Sequence, residues 1–189
     1  MPLTFITGPV RSGKSRFAER LAAATGRPVL YIATARADPA DAEWTARIAH
    51  HRARRPAAWA LLESAAEGAP ELAAFVRAAP PERTLLLDSL GTWLAAQIDE
   101  RTEYGALEGR ATELAEALAA SPADVIVVGE EVGWGVVPLA ASARAFRDIA
   151  GRTQQRLARR AERAFLVVAG FAIDLAATGT TVEDDPYLG

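Results

Sequence analysis

The sequence predicts an α/β fold in which a mostly parallel sheet is flanked by helices. Short, almost wholly apolar runs alternate along the chain with helical stretches, as expected for strands that are covered on both faces. A glycine-rich loop joins the first apolar run to the first helical stretch. Because the chain has 189 residues and half of them are apolar, we expect residues 1–189 to form one domain.

The predicted elements follow in order along the chain. The first strand is Leu3–Thr7, and the helix after it runs over residues 15–24 with Phe17, Leu21 and Ala24 on one side. Further strands are expected at 29–33, 85–88, 125–128 and 165–168, and further helices at 112–120 and 146–163. Residues 178–189 are polar and acidic, which predicts a loose tail.

The loop between the first strand and the first helix carries the pattern G-x-x-x-x-G-K-S. It is typical of a P-loop, in which backbone N–H groups and a helix N-terminus cradle phosphate oxygens. Lys14 is the single lysine of the chain and would reach the β- and γ-phosphates, while Ser15 would ligate Mg²⁺. An ordinary turn with an exposed lysine is the alternative. The predicted nucleotide-binding loop comprises Gly8, Pro9, Val10, Arg11, Ser12, Gly13, Lys14 and Ser15.

Asp88 is a second candidate, because it ends the apolar run Leu85–Leu87. Ligands of open parallel sheets lie beyond the carboxyl ends of the strands, so an acidic side chain there can face the metal ion of a bound nucleotide. The alternative is that Asp88 caps a helix that starts in the following residues. Together with the loop, the position favours Asp88 as a Mg²⁺ ligand.

His50 and His51 are the only histidines, near the end of a helix that we expect to be capped by Asp38 and to start at Pro39. The spacing i, i+4, i+7 places Trp44, Ile48 and His51 on one apolar face, so His51 is predicted to point inward. His50 falls on the polar face with Glu43 and Arg47.

The role of His51 stays open at this point. It could be a hydrogen-bonded core residue, or a neutral imidazole that attacks an α-phosphorus to form a nucleotidyl-histidine. Arg52, Arg54 and Arg55 follow it and could hold phosphates through bidentate contacts, or could form a solvated face.

Composition limits the cellular compartments and the classes of binding partner that we expect for this chain. The chain has no cysteine, which excludes disulfides and thiolate metal sites and is consistent with a reducing cytosol. We find no signal pattern and no apolar run of membrane-spanning length, so a cytoplasmic protein without stable membrane insertion is expected. A net charge of −3 with dispersed arginines argues against nucleic acid as a partner.

Seven blocks occur in order: GPVRSGKSRFAE, VLYIATA, ARIAHHRARRPAAW, LLLDSLGTWL, EVGWGVVP, FRDIAGRTQQRLA and LVVAG. From Thr4 to about Gly170 the chain therefore resembles the bifunctional adenosylcobinamide kinase / adenosylcobinamide-phosphate guanylyltransferase family of cobalamin synthesis. The resemblance implies a RecA-like P-loop NTPase fold and a homotrimer. It also implies GTP or ATP and a corrinoid as substrates, with Mg²⁺ as cofactor.

The resemblance also implies roles for residues. It makes His51 the guanylylated histidine and Lys14 the second catalytic residue, with Ser15 and Asp88 at the metal. Nucleotide contacts beyond the loop and Asp88 would come from Ala33, Thr34, Ala35, Arg55, Pro56, Ala57, Ala58 and Glu63.

The chain departs from the family pattern at two places. Glu130 stands where an asparagine is usual, and Leu139-Ala140 replace a Glu-Asn pair. Those loops are expected to border the corrinoid. Two other functions remain as alternatives: a P-loop small-molecule kinase without nucleotidyl transfer, and a nucleotide-dependent switch module.

Overall fold

The computed structural model describes residues 2–38, 40–66, 68, 71–99 and 102–182. Within these residues, a seven-stranded sheet has the order β3-β2-β4-β5-β1-β6-β7. All strand pairs are parallel except the last, β6 with β7, which is antiparallel. The strands are β1 Leu3–Thr7, β2 Val29–Ala33, β3 Ala60–Glu63, β4 Thr84–Asp88, β5 Asp124–Val128, β6 Arg163–Val168 and β7 Phe171–Asp174.

Helices alternate with these strands. In the described part of the chain they are α1 Lys14–Ala24, α2 Ala42–Arg54, α3 Leu72–Arg77, α4 Leu90–Ala95, α5 Tyr104–Ala119, α6 Ala141–Arg160 and α7 Leu175–Thr178. Strand β5 lies between the loop-bearing strand β1 and the Asp88-bearing strand β4. The predicted α/β fold, a mostly parallel sheet flanked by helices, is confirmed.

The central strands are buried on both faces, which explains their nearly continuous apolar sequences. In β4, Leu85 and Leu87 pack with the helices α3 to α6, whereas Leu86 belongs to a second cluster with α1 on the opposite face. All three leucines are completely inaccessible to solvent. An apolar residue is therefore required at each position of such a strand rather than at every second one.

Expectations about the cap of α2 and the buried face of α1 need correction. The side chain of Asp41, not Asp38, caps α2 by accepting a hydrogen bond from the Trp44 N–H, and Pro39 lies outside the described residues. On α1 the buried residues are Lys14, Ala18 and Ala22, with Phe17 and Leu21 packed beside them, while Ala24 is exposed.

The alternative that Asp88 is a helix cap is wrong, because Ser89 is the N-cap of α4 and forms a capping box with Thr92. The helix expected over 146–163 runs from Ala141 to Arg160, and residues from Arg163 onward belong to β6. The helix expected over 112–120 begins earlier, at Tyr104.

The chain after Gly170 contains β7 and α7, which the sequence patterns did not reveal. Of the predicted tail, residues 183–189 lie outside the described residues, so its loose character stays a prediction. No helix in the described ranges is long and apolar enough to cross a membrane.

Candidate active site

The P-loop is closely packed, and two of its glycines are required by its shape. A Cβ atom on Gly8 would overlap the backbone carbonyl of Val167 in β6, so only glycine fits there. Gly13 is the N-cap of α1 and has φ +99°, a left-handed conformation that favours glycine. The Gly170 N–H donates to the carbonyl of Ser12 at 3.1 Å and fixes the far side of the loop.

Lys14 begins α1 and is buried, with 7% of its surface exposed. Its Nζ donates to the carbonyl of Pro9 at 3.4 Å, a long contact that keeps the ammonium group across the loop. Because a buried ammonium is costly unless it is paired, this lysine is well placed to take up phosphate oxygens. An ordinary turn with an exposed lysine is therefore excluded.

Asp88 lies next to the P-loop, and its carboxylate receives two hydrogen bonds on different oxygens. The Ser15 hydroxyl donates to Oδ1 at 3.2 Å, and the Tyr31 hydroxyl donates to Oδ2 at 2.5 Å. The Asp88 side chain is 10% exposed. Strand β1 and its loop thus bring Ser15 to the residue that ends β4, although β5 lies between the two strands.

The strand register brings further predicted residues next to Asp88, at the carboxyl ends of the parallel strands. Ala33 at the end of β2 is paired with Glu63 of β3 on one side and with Asp88 of β4 on the other. The Glu63 carboxylate forms an ion pair with Arg52 of α2. The side chains at the carboxyl edge therefore face the same space as the helix that bears the two histidines.

His51 points toward this edge from α2. Its Nδ1 lies 3.9 Å from Asp88 Oδ2, and Trp44 and Ile48 line the same cavity, as the helical spacing predicted. Burial lowers the pKa of His51 from its ordinary value, and the charges of Arg54 and Arg47 act in the same direction, while Asp88 opposes them. The imidazole is thus favoured in its neutral, nucleophilic form.

Two of the arginines after His51 are already paired with carboxylates. Arg54 donates two hydrogen bonds to Glu19 of α1, at 3.0 and 2.7 Å, and Arg52 is held by Glu63. Arg55 lies instead over the ring of Tyr31, with its Cζ atom 3.8 Å from the ring centroid. Arg52 and Arg55 line the inner cavity and Arg54 lines the outer one, so the three arginines do not form a single cluster, and two of them are held by carboxylates.

Two adjoining cavities surround these groups. An inner cavity with an empty volume of about 630 Å³ lies against the ends of β2 and β4, and an outer one of about 1220 Å³ lies between the P-loop and α2. Lys14, Ser15, Arg47 and His51 line both cavities. His50 is exposed and lines the outer one.

Most of the predicted site residues line one of these cavities: Arg11, Ser12, Gly13, Lys14, Ser15, Ala33, Ala35, His51, Arg55, Glu63 and Asp88. The linings of the two cavities do not include Gly8, Pro9, Val10, Thr34, Pro56, Ala57 or Ala58. Thr34 is completely buried, and its hydroxyl donates to the Ser89 carbonyl at 2.6 Å and accepts from the Ser89 N–H at 2.7 Å. Through these two hydrogen bonds, Thr34 fixes the backbone of Ser89, the residue that follows Asp88.

The inner cavity also contains residues that the sequence did not assign to the nucleotide site, notably Tyr31, Arg47 and Glu130. Glu130 accepts hydrogen bonds from the Ser89 hydroxyl and from the Gly91 N–H at the start of α4. Burial raises its pKa, and the Ser89 hydrogen bond and the charge of Lys14 oppose that rise. Arg47, which the helical spacing predicted on the polar face with His50, instead lines both cavities with His51, four residues after it on the same helix.

The oxygen donors of the site fit Mg²⁺. Ser15 Oγ and Asp88 Oδ1 are 3.2 Å apart, and hydroxyl and carboxylate oxygens are the ligands that Mg²⁺ takes from proteins together with substrate phosphates. A shift of either side chain would open the hydrogen bond between them and admit a cation.

Comparison with known proteins gives consistent results. The family model described as "Cobinamide kinase / cobinamide phosphate guanyltransferase" matches residues 4–175. The chain is 45% identical over 173 residues to "Bifunctional adenosylcobalamin biosynthesis protein CobP" of Pseudomonas aeruginosa, covering 90% of this chain and 95% of that protein. It is 39% identical to "Bifunctional adenosylcobalamin biosynthesis protein CobU" of Salmonella typhimurium, covering 92% and 99%.

Among solved structures, the RadB recombinase aligns with a TM-score of 0.47 at 18% identity and covers 87% of this chain and 73% of that protein.

Proposed function

The chain belongs to the cobinamide kinase / cobinamide phosphate guanyltransferase family and is therefore a bifunctional enzyme, and we propose that both of its transfers take place where the two cavities meet, around Lys14 and His51. The observation that carries this proposal is that Lys14, Ser15 and His51 line both cavities, while Asp88 lines the inner cavity and lies next to Ser15 and His51. The substrates are a corrinoid and nucleoside triphosphates.

In the first reaction the γ-phosphoryl group of a nucleoside triphosphate passes to the aminopropanol hydroxyl of adenosylcobinamide. An oxygen–phosphorus bond forms at the acceptor, the hydroxyl proton is released to solvent, the bond to the bridging oxygen breaks, and a nucleoside diphosphate leaves. Lys14 and the loop N–H groups hold the transferred charge, and such catalysis is mostly positioning and electrostatic stabilisation. Mg²⁺ held by Ser15 and Asp88 would neutralise charge on the phosphate oxygens.

In the second reaction a ring nitrogen of His51 attacks the α-phosphorus of GTP, and pyrophosphate leaves. The phosphate oxygen of adenosylcobinamide phosphate then attacks the same phosphorus, the nitrogen–phosphorus bond breaks, and adenosylcobinamide-GDP forms. Dividing one transfer into two displacements predicts ping-pong kinetics. The lowered pKa of His51 supports this role, because only the neutral imidazole has a free lone pair.

Labelling with GTP radioactive at the α-phosphate tests the covalent intermediate. After denaturation we expect protein-bound GMP that is released by acid, and no label when the γ-phosphate is radioactive. His51→Ala should abolish the label and spare much of the kinase reaction. The matched variant is His50→Ala, which changes the neighbouring exposed histidine and should still be labelled.

Other labelling results identify the alternatives. Label that vanishes in His50→Ala but survives in His51→Ala would place the nucleophile on the other face of α2. Phosphorylation of the corrinoid without any bound GMP would leave only the kinase at this site. Nucleotide hydrolysis without either transfer would point to the switch module.

We further propose a homotrimer, as the resemblance implies, and a cytoplasmic location, with which the cysteine-free composition is consistent. Size-exclusion chromatography with light scattering measures the assembly state directly.

A further inference from the structure

We propose that Tyr31 is a positioning residue that holds two functional side chains of the inner cavity at once. Its hydroxyl holds the Asp88 carboxylate, and its ring supports the Arg55 guanidinium. The inference rests on the proposed roles of Asp88 at the metal and Arg55 at the nucleotide. Tyr31 lines the inner cavity but is only 1% exposed, so it acts mainly through these two neighbours.

The hydroxyl contact fixes the orientation of the carboxylate. Asp88 receives Tyr31 on Oδ2 and Ser15 on Oδ1, so rotation of the carboxylate would break both hydrogen bonds. The Tyr31 bond, at 2.5 Å, is the shorter of the two and comes from a side chain in the core. Oδ1 is thereby kept toward the P-loop.

The ring contact positions the Arg55 guanidinium, two of whose nitrogen atoms have no hydrogen-bond partner in the described part of the chain. Arg55 stands 3.8 Å over the Tyr31 ring, and its Nε and Nη1 atoms are buried without a hydrogen-bond partner among the described residues. Buried donors without acceptors are costly, so they point to a ligand that supplies acceptor oxygens. Arg55 lines the inner cavity, where a nucleotide would provide them.

The local sequence explains how Tyr31 comes to lie between Asp88 and Arg55. It lies in the middle of β2, two residues before Ala33 at the carboxyl edge, and Trp59 stacks near it with ring centroids 6.5 Å apart. Pro56 disfavours the α conformation at Arg55, so α2 ends at Arg54 and Arg55 turns out of the helix with ψ 139°. The end of α2 thus delivers Arg55 to the tyrosine.

Two substitutions separate the contacts. Tyr31→Phe removes the hydroxyl and keeps the ring, so the Mg²⁺ concentration for half-maximal kinase rate should rise by about three- to tenfold. The KM for GTP at saturating Mg²⁺ should stay within about twofold, because the Arg55 contact is retained. Tyr31→Met also removes the ring, so the KM for GTP in the labelling reaction should rise by about fivefold as well.

Double-variant cycles show whether Tyr31 acts through its neighbours. Asp88→Asn should remove the effect of Tyr31→Phe on Mg²⁺ dependence, and Arg55→Ala should remove the extra effect of Tyr31→Met on KM. Thermal unfolding identifies any variant that is not folded; if Tyr31→Met is one, the Tyr31→Phe cycle decides. Equal Mg²⁺ dependence in Tyr31→Phe and the unchanged protein, or additive effects with Asp88→Asn, would overturn the proposal.

The same cycle separates failure of the inference from failure of the proposed function. If Asp88→Asn changes the Mg²⁺ dependence and Tyr31→Phe does not, Asp88 keeps its role and Tyr31 loses its own. If Asp88→Asn itself leaves the Mg²⁺ dependence unchanged, the metal assignment is wrong, and the role of Tyr31 at the metal falls with it.

Discussion

Lys14 is the residue whose charge both transfers are proposed to share. Lys14→Ala removes that charge from the phosphate cradle, so kcat of the kinase and the rate of GMP labelling should each fall at least about a hundredfold. Steady-state kinase assays and labelling time courses measure the two losses. Arg20→Ala, a matched change on the exposed side of α1, should preserve both rates. Normal labelling in Lys14→Ala would contradict the shared cradle.

A substitution at Asp88 can separate the effect of its charge on activity from the effect of its shape on folding. Asp88→Asn keeps the side-chain volume and removes the charge at the proposed metal site, so activity should drop by about a hundredfold with little change in Tm. Asp124→Asn is the matched control. Asp124 is the first residue of β5, at the end of the strand away from the site, and it pairs with Arg27. Parallel losses of Tm and activity in Asp88→Asn would instead indicate a folding role.

The ionisation of His51 sets the pH dependence of labelling. Because burial lowers the pKa of His51, the imidazole stays neutral to a lower pH than an ordinary histidine with a pKa of about 6.5. Labelling should therefore remain at its plateau at neutral pH and decline as the pH falls through the lowered pKa. Initial labelling rates in buffers of constant ionic strength measure this limb. A midpoint above about 6.5 would contradict the prediction.

At the scale of elements, α2 is the least buried support of the site. None of its residues is fully buried, and its contacts include the Arg54–Glu19 pair and the approach of His51 to Asp88. The proposed nucleophile, His51, is thus carried by a helix that polar contacts hold in place, whereas Lys14 belongs to a helix packed in the core. The two reactions should respond differently when these contacts are weakened.

Glu19→Gln tests this difference. It removes one charge of the Arg54 pair, so GMP labelling should fall several-fold while the kinase rate changes by less than about twofold. Loss of the Glu19 charge also favours neutral His51, so a slower labelling rate would not come from protonation. Glu113→Gln, which weakens the more exposed pair with Arg77, should leave both rates unchanged. Equal losses of both activities would show that α2 supports them equally.

Elements with continuous apolar sequences were predicted from the sequence, and marginal ones were not. Strand β2 was predicted with its observed bounds, because buried strands require Val29–Ala33 to be apolar throughout. Strand β3, at Ala60–Glu63, lies at the sheet edge with exposed residues, so its sequence carries little signal. The cap of α2 was misplaced because Asp38 and Asp41 are both suitable residues, and only tertiary structure selects between them.

At the scale of the whole molecule, the order of the strands assembles the site. Lys14, His51 and Asp88 could be named from local patterns, since each stands at or near the end of an element. Tyr31 could not, because its contact with Asp88 spans 57 residues of sequence, and Glu130 stood out only as a departure from the family pattern, because its contact with Ser89 spans 41. A residue in the interior of a strand looks like core until the neighbouring strand is known.

The two cavities share four side chains, those of Lys14, Ser15, Arg47 and His51. This sharing limits the order in which the two reactions can occur. If one cradle serves both triphosphates, a molecule that holds the phosphate donor cannot accept GTP for guanylylation until that donor has gone. The two reactions would then take turns at the same site. An excess of either nucleotide therefore delays the other reaction, and the balance between nucleotide pools sets the overall yield.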